Sequence, residues 1–249
     1  TRARRGGISV LVNTTPVGMF PREDGMAADP ADFPALRGAL DAVYNPLRSD
    51  FVLRAQAKGV PATGGLYMLA AQAAASAALF LGEAMDISKI SQVEGVLRRQ
   101  TENLILIGMA GSGKTTLARP VWDSDEEIVR RTGLSIQDVF DRWGEKKFRA
   151  LETEVLADLG RHWGGILATG GGCVTRPENR RLLRQNGKVI WLQRDICRLE
   201  APGRPLLRES GLSELYRQRC ALYEHFSDEA ILNNGAPEDA LRRLKECMV

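Results

Sequence analysis

The sequence predicts an α/β protein with a parallel sheet in its second half and a smaller α/β segment ahead of it. Three observations lead there. Leu104–Ile107, Gly165–Ala168 and Val189–Leu192 are short apolar runs without alternation, as strands covered on both faces should be. Stretches with helical spacing separate them, and strand–helix alternation is the pattern of a parallel sheet. The character of the chain also changes near residue 100, which divides its 249 residues into two parts.

In the first part, Ile8–Asn13 reads as a short buried strand between Gly6-Gly7 and Thr14-Thr15-Pro16. Phe20–Pro34, rich in Pro, Asp and Gly, reads as a loop. Ala42–Tyr44, closed by Asn45-Pro46, is expected to be the second strand. Ser49–Lys58 has helical spacing and stops at Gly59. Gly64-Gly65 precede a long Ala-rich helix, Leu66–Leu81, ended by Gly82, and Glu83–Gln100 reads as a terminal helix plus linker. The expected layout is therefore 1–84, a connecting 85–101, and 102–249. In the last of these, helices are expected over Asp125–Arg131, Ser135–Trp143 and Lys147–Leu159.

Composition narrows the function classes. Hydrophobic residues make up 44% and charged residues 26%, enough apolar mass for a core and too much for global disorder. The most apolar stretch, Leu66–Leu81, carries Gln72 and Ser76 and reads as a buried helix, not a membrane span. Net charge is +3 with acids and bases interspersed, which argues against a nucleic-acid-binding face. Two histidines exclude a multi-histidine metal site. Cys173, Cys197, Cys220 and Cys247 form no C-x-x-C pair, so reduced thiols in a cytoplasmic protein are expected. The chain begins at Thr1, which points to processing or to residues upstream.

Gly108-Met109-Ala110-Gly111-Ser112-Gly113-Lys114-Thr115 matches G-x-x-x-x-G-K-[ST], after an apolar strand and before helical spacing. Glycines let backbone N–H groups wrap a phosphate. Lys114 would reach the β- and γ-phosphates, the Thr115 hydroxyl would ligate Mg²⁺, and Thr116 follows on the same turn. The expected ligand is ATP. Asp123 and Asp125 then divide two ways: metal shell and acceptor hydroxyl, or simple capping of the next helix by Asp125. Gly170-Gly171-Gly172 follow a buried strand, where backbone can approach a ligand closely.

These pieces occur with G-E-x-x-F-R-x-x-E at 144–152, R-P-L-L at 204–207 and R-x-x-L-Y at 219–223. In that order, over about residues 103–234, the chain resembles shikimate kinase. The resemblance implies a P-loop, nucleoside-monophosphate-kinase-like parallel sheet with a lid, and transfer of phosphate from ATP to the 3-hydroxyl of shikimate. It implies Asp125 at that hydroxyl, Arg149 and Arg219 on the acceptor carboxylate, and Gly170, Gly171 and Gly172 under the ring. It also implies Arg204 as the lid arginine, with Thr115 and Asp123 serving Mg²⁺. Two features depart from the family pattern. Lys114 and Asp123 are nine positions apart, where a parallel crossover usually takes about a dozen residues or more. The lid segment, Arg194–Arg204, is short.

Asn13-Thr14-Thr15-Pro16-Val17-Gly18-Met19, Asp41-Ala42-Val43-Tyr44-Asn45-Pro46 and Gly64-Gly65-Leu66-Tyr67-Met68 through Gln72 carry a second resemblance. Over about residues 7–82 the chain is similar to the C-terminal part of shikimate dehydrogenase, a partial Rossmann-like segment. That resemblance implies Gln72 on shikimate, Tyr44 lining a cleft, and Gly65 and Met68 near the nicotinamide of NADP. The dinucleotide fingerprint and the family's catalytic Lys and Asp have no counterpart here. Dehydrogenase activity is therefore expected only in a longer, fused parent chain.

Overall fold

The computed structural model describes residues 6–21, 25–82, 84, 86–117, 122–199 and 209–247, the side chains of 209 and 210 excepted. The chain divides into two compact units, Thr1–Thr101 and Glu102–Val249.

The first unit holds a three-stranded parallel sheet, β1 (Val10–Asn13), β2 (Gly38–Asp41) and β3 (Ala62–Thr63), in that spatial order. One face is covered by helix α1 (Asp50–Ala57), whose Phe51, Val52 and Ala55 pack with Phe33, Leu36, Ala39 and Val60. On the strands, Val10, Val12 and Leu40 remain 52%, 57% and 47% exposed, so β1 is covered on one side instead of fully buried. The second strand is Gly38–Asp41 and not Ala42–Tyr44. The expectation erred because Asp41 is polar yet buried, accepting from Asn13 Nδ2 at 2.9 Å and from the Ser49 hydroxyl. Asp41 also accepts from the Val43 N–H, which turns the chain just where the apolar triplet begins. Helix α2 (Leu66–Leu81) has the expected bounds and ends on left-handed Gly82; α3 (Ile87–Thr101) follows.

The second unit holds five parallel strands. They are β4 (Asn103–Ile107), β5 (Trp122–Asp123), β6 (Ile166–Ala168), β7 (Gly187–Gln193) and β8 (Glu229–Leu232), in the order β5-β6-β4-β7-β8. Every residue of β4 is buried, with Ile105 and Ile107 in one core cluster and Leu104 and Leu106 in the other. Both faces are covered, which is why the run does not alternate. Helices described in this unit include α5 (Ser124–Thr132), α6 (Ile136–Leu159), α7 (Pro177–Asn186), α8 (Glu209–Phe226) and α9 (Pro237–Glu246). The two helices expected over 135–159 join in α6, with the break at Gly144, whose φ of 73° and ψ of 169° are not helical. Strand β8 and helices α7 and α9 have no counterpart in the sequence reading.

Of the short crossover, residues 118–121 lie outside the described residues. One turn, α4 (Lys114–Leu117), is described before them, and β5 after them is only two residues long yet pairs in parallel register with Leu167 and Ala168. The Trp122 indole lies directly over Gly165, where any side chain would collide with it, and stacks on His162 at 4.9 Å. No helix among the described residues is long and apolar enough to cross a membrane.

Candidate active site

The phosphate loop is shaped by its glycines. Gly108, Gly111 and Gly113 all have positive φ, at 142°, 79° and 96°. At Gly108 a Cβ would stand 2.5 Å from the Leu192 carbonyl oxygen, so the approach of loop to β7 requires glycine. Lys114 is buried, and its ammonium donates to the Gly108 and Met109 carbonyls at 2.8 Å each. Thr115 Oγ1 donates to Asp123 Oδ2 at 2.7 Å. Thr116 is exposed on the same turn, and Ser112 is buried. Two groups the sequence reading passed over hold this loop. Asn233 Nδ2 donates to the Ser112 carbonyl at 2.8 Å, and Arg194 Nη1 to the Gly111 carbonyl at 3.2 Å. Only the sheet order, which sets β7 beside β4 and β8 beside β7, brings them there.

Asp123, not Asp125, caps α5. Its Oδ1 accepts from the N–H of Asp125 at 2.8 Å and of Glu126 at 3.4 Å, while Oδ2 meets Thr115. Asp125 is thereby left in the first turn, facing the glycine turn. A Cβ on Gly170 would stand 2.8 Å from Asp125 Oδ1 and 2.6 Å from Glu152 Oε1. At Gly172 it would fall inside the Arg149 guanidinium, and at Gly171 it would stand 3.2 Å from the Ala110 nitrogen. So the three glycines bring backbone against Asp125, the phosphate loop and Arg149 in turn. Gly170 N–H donates to Ser124 Oγ at 2.9 Å, and the Gly171 carbonyl accepts from Arg219 Nη1 at 3.1 Å and from the Tyr223 hydroxyl.

Glu152 is the residue whose importance the motif hides. It is fully buried, and its Oε2 accepts from Arg149 Nη1 at 2.8 Å. Its Oε1 has no hydrogen-bond partner among the described residues. Burial pushes its carboxyl up to about 7; Arg149 pulls it down, and the nearby Asp125 charge pushes it up further. For Arg149 burial opposes the charge, but the Glu152 and Glu145 carboxylates outweigh it and hold the guanidinium above its usual value. Cys173, beneath the turn, is fully buried and its thiol is pushed up to about 12, chiefly by that burial. Desolvation likewise raises the Tyr223 phenol, which stays a donor.

Thus Lys114, Thr115, Asp123, Asp125, Arg149, Gly170, Gly171, Gly172 and Arg219 converge on one end of the sheet. Arg204 and the 203–207 motif lie outside the described residues. In the first unit, Tyr44, Met68 and Gln72 are exposed, and Gly65 begins α2 where a side chain would collide with the Ala42 carbonyl.

The comparisons agree with this geometry. The shikimate kinase family model matches residues 110–248. A shikimate kinase of Nitrosomonas europaea is 44% identical over an alignment of 150 residues, a match that covers 53% of this chain and 71% of that one. The corresponding enzyme of Pseudomonas syringae is 41% identical over 152 residues, 54% of this chain and 88% of the other. Among solved structures, shikimate kinase from Acinetobacter baumannii in complex with shikimate superposes with a TM-score of 0.57 at 33% identity. That match covers 62% of this chain and 96% of that one. Shikimate kinase from Aquifex aeolicus gives 0.53 at 29% identity over 58% and 94%. With a P-loop sheet, a matching family model over more than half its length and relatives above 40% identity, this chain belongs to the shikimate kinase family.

Proposed function

We propose that residues 102–249 transfer the γ-phosphoryl group of ATP to the 3-hydroxyl of shikimate. The observation that carries this reading is the glycine turn. It sets backbone against the phosphate loop on one side, and against Asp125 and Arg149 on the other, so donor and acceptor meet across main chain. Arg149 and Arg219 offer two guanidinium groups for the acceptor carboxylate, a geometry that suits paired hydrogen bonds. Asp125 takes the proton of the acceptor hydroxyl as its oxygen attacks the γ-phosphorus. The bond from that phosphorus to the β–γ bridging oxygen breaks, and ADP leaves. Lys114 must exchange its bonds to the Gly108 and Met109 carbonyls for phosphate oxygens, and Arg204 would add charge to the transferring group.

Thr115 and Asp123 present a hydroxyl and a carboxylate side by side at the loop, an oxygen-only pair that fits a hard divalent cation. They would hold Mg²⁺, which neutralises phosphate charge when bound. Glu152 keeps the Arg149 fork aimed at the turn.

The test is ADP release from MgATP with and without shikimate, beside a Lys114→Ala control. Shikimate-dependent release that vanishes in the control supports the reading. Release that ignores shikimate, or survives in the control, overturns it.

A second reading concerns residues 1–84. Their motifs resemble shikimate dehydrogenase, and their parallel sheet is covered on one face only. Both features support a part of a dehydrogenase nucleotide domain, joined through 85–101 to the kinase. NADP-dependent reduction of 3-dehydroshikimate would then belong to a longer parent chain. Calorimetric titration with NADP checks this: this chain should take up none, and tight binding would refute it.

A further inference from the structure

The Gly171 carbonyl lies in the buried floor of the site and accepts two hydrogen bonds, from Arg219 and from Tyr223. The two donors sit one helical turn apart on α8, on one face of it. Arg219 is partly exposed, whereas Tyr223 is wholly buried, stacked on Trp191 at 5.7 Å with its hydroxyl 3.5 Å from Met109 Sδ. One donor can swing toward a ligand and the other cannot. A buried carbonyl left without any donor is penalised, while one that keeps a donor is not. Arg219 can therefore turn its fork to an anionic ligand only because something else stays on Gly171.

We propose that Tyr223 is a positioning residue for acceptor binding: its hydroxyl holds the Gly171 carbonyl so that Arg219 is released to grip the acceptor carboxylate. This rests on the assignment of Arg219 to that carboxylate. Tyr223, wholly buried, acts through the Gly171 carbonyl on Arg219.

The test is a double-mutant cycle on the full chain with Tyr223→Phe, Arg219→Ala and both together. Shikimate affinity is read by titration calorimetry, and KM and kcat by ADP release. Tyr223→Phe keeps the ring packing and removes one donor. It should weaken shikimate binding by about tenfold, leave the KM for MgATP unchanged and move kcat less than about twofold. In the Arg219→Ala background Gly171 has no donor to surrender, so adding Tyr223→Phe should leave shikimate affinity unchanged. Equal weakening in both backgrounds overturns the inference while leaving the role of Arg219 intact. Shikimate affinity untouched by Arg219→Ala alone removes the assignment on which it stands. A matching rise in the KM for MgATP would mark a general loss of packing and also overturn it.

Discussion

Replacing Glu152 with Gln tests whether a buried carboxyl in the candidate active site works against the fold that holds it. The side chain is fully buried, and its carboxyl is raised from 4.5 to about 7. Below pH 4.5 both folded and unfolded chains carry the proton, and the group adds no penalty. Between 4.5 and 7 the unfolded chain gives up the proton while the folded one keeps it, so stability falls as pH rises. Above 7 both are ionised and the loss is complete. At 1.36 kcal/mol per pH unit the shift amounts to about 3 kcal/mol. Glutamine keeps the shape without the titration. All four tryptophans, Trp122, Trp143, Trp163 and Trp191, lie in the second unit, so denaturant unfolding followed by their fluorescence reports on that unit alone. The stability of the native chain relative to Glu152→Gln should drop by about 3 kcal/mol from pH 4 to pH 8. Parallel curves across that range would refute the reasoning. At pH 8 the same substitution should also raise the KM for shikimate if Arg149 grips the acceptor as proposed, since only the exposed Glu145 carboxylate then remains paired with it.

Three further outcomes are expected. Gly172→Ala places a methyl group inside the Arg149 guanidinium; the KM for shikimate should rise at least about tenfold while the KM for MgATP holds, as steady-state kinetics will show. With an aromatic disulfide reagent at pH 8, exposed Cys197 should react fast, whereas buried Cys173, with its thiol raised to about 12, should react only on unfolding; peptide mapping distinguishes them. Ser135→Ala removes a capping box shared with Asp138 and should lower the stability of the second unit by about 1 kcal/mol, read by the same fluorescence.

What the sequence disclosed follows from how local each signal is. The phosphate loop was legible because its glycines and Lys114 act within eight consecutive residues. Helix α2 was legible because Gly65 and Gly82 bracket it. Strand β2 was not, because Asp41 and Asn13 look like loop residues until they are seen to satisfy each other across two strands. Asn233 and Arg194 could not be assigned to the loop from spacing, since Asn233 meets Ser112 across more than a hundred residues of chain. Glu152 stood in a quoted motif, but its burial beside Asp125 is a property of packing alone. Capping by Asp123 instead of Asp125 turned on two residues of register, which frees Asp125 to face the turn.

The contact between Gly171 and Ala110 involves no side chain from either partner. On the proposed assignment of the site, the gap between the two substrates is thus set by peptide geometry, which mutation alters far less readily than side-chain identity. If Arg149 and Arg219 hold the acceptor as proposed, descendants of this sequence can drift in which alcohol they take without moving this main-chain approach. A chemist seeking to retune the acceptor should leave the turn alone and work on its neighbours.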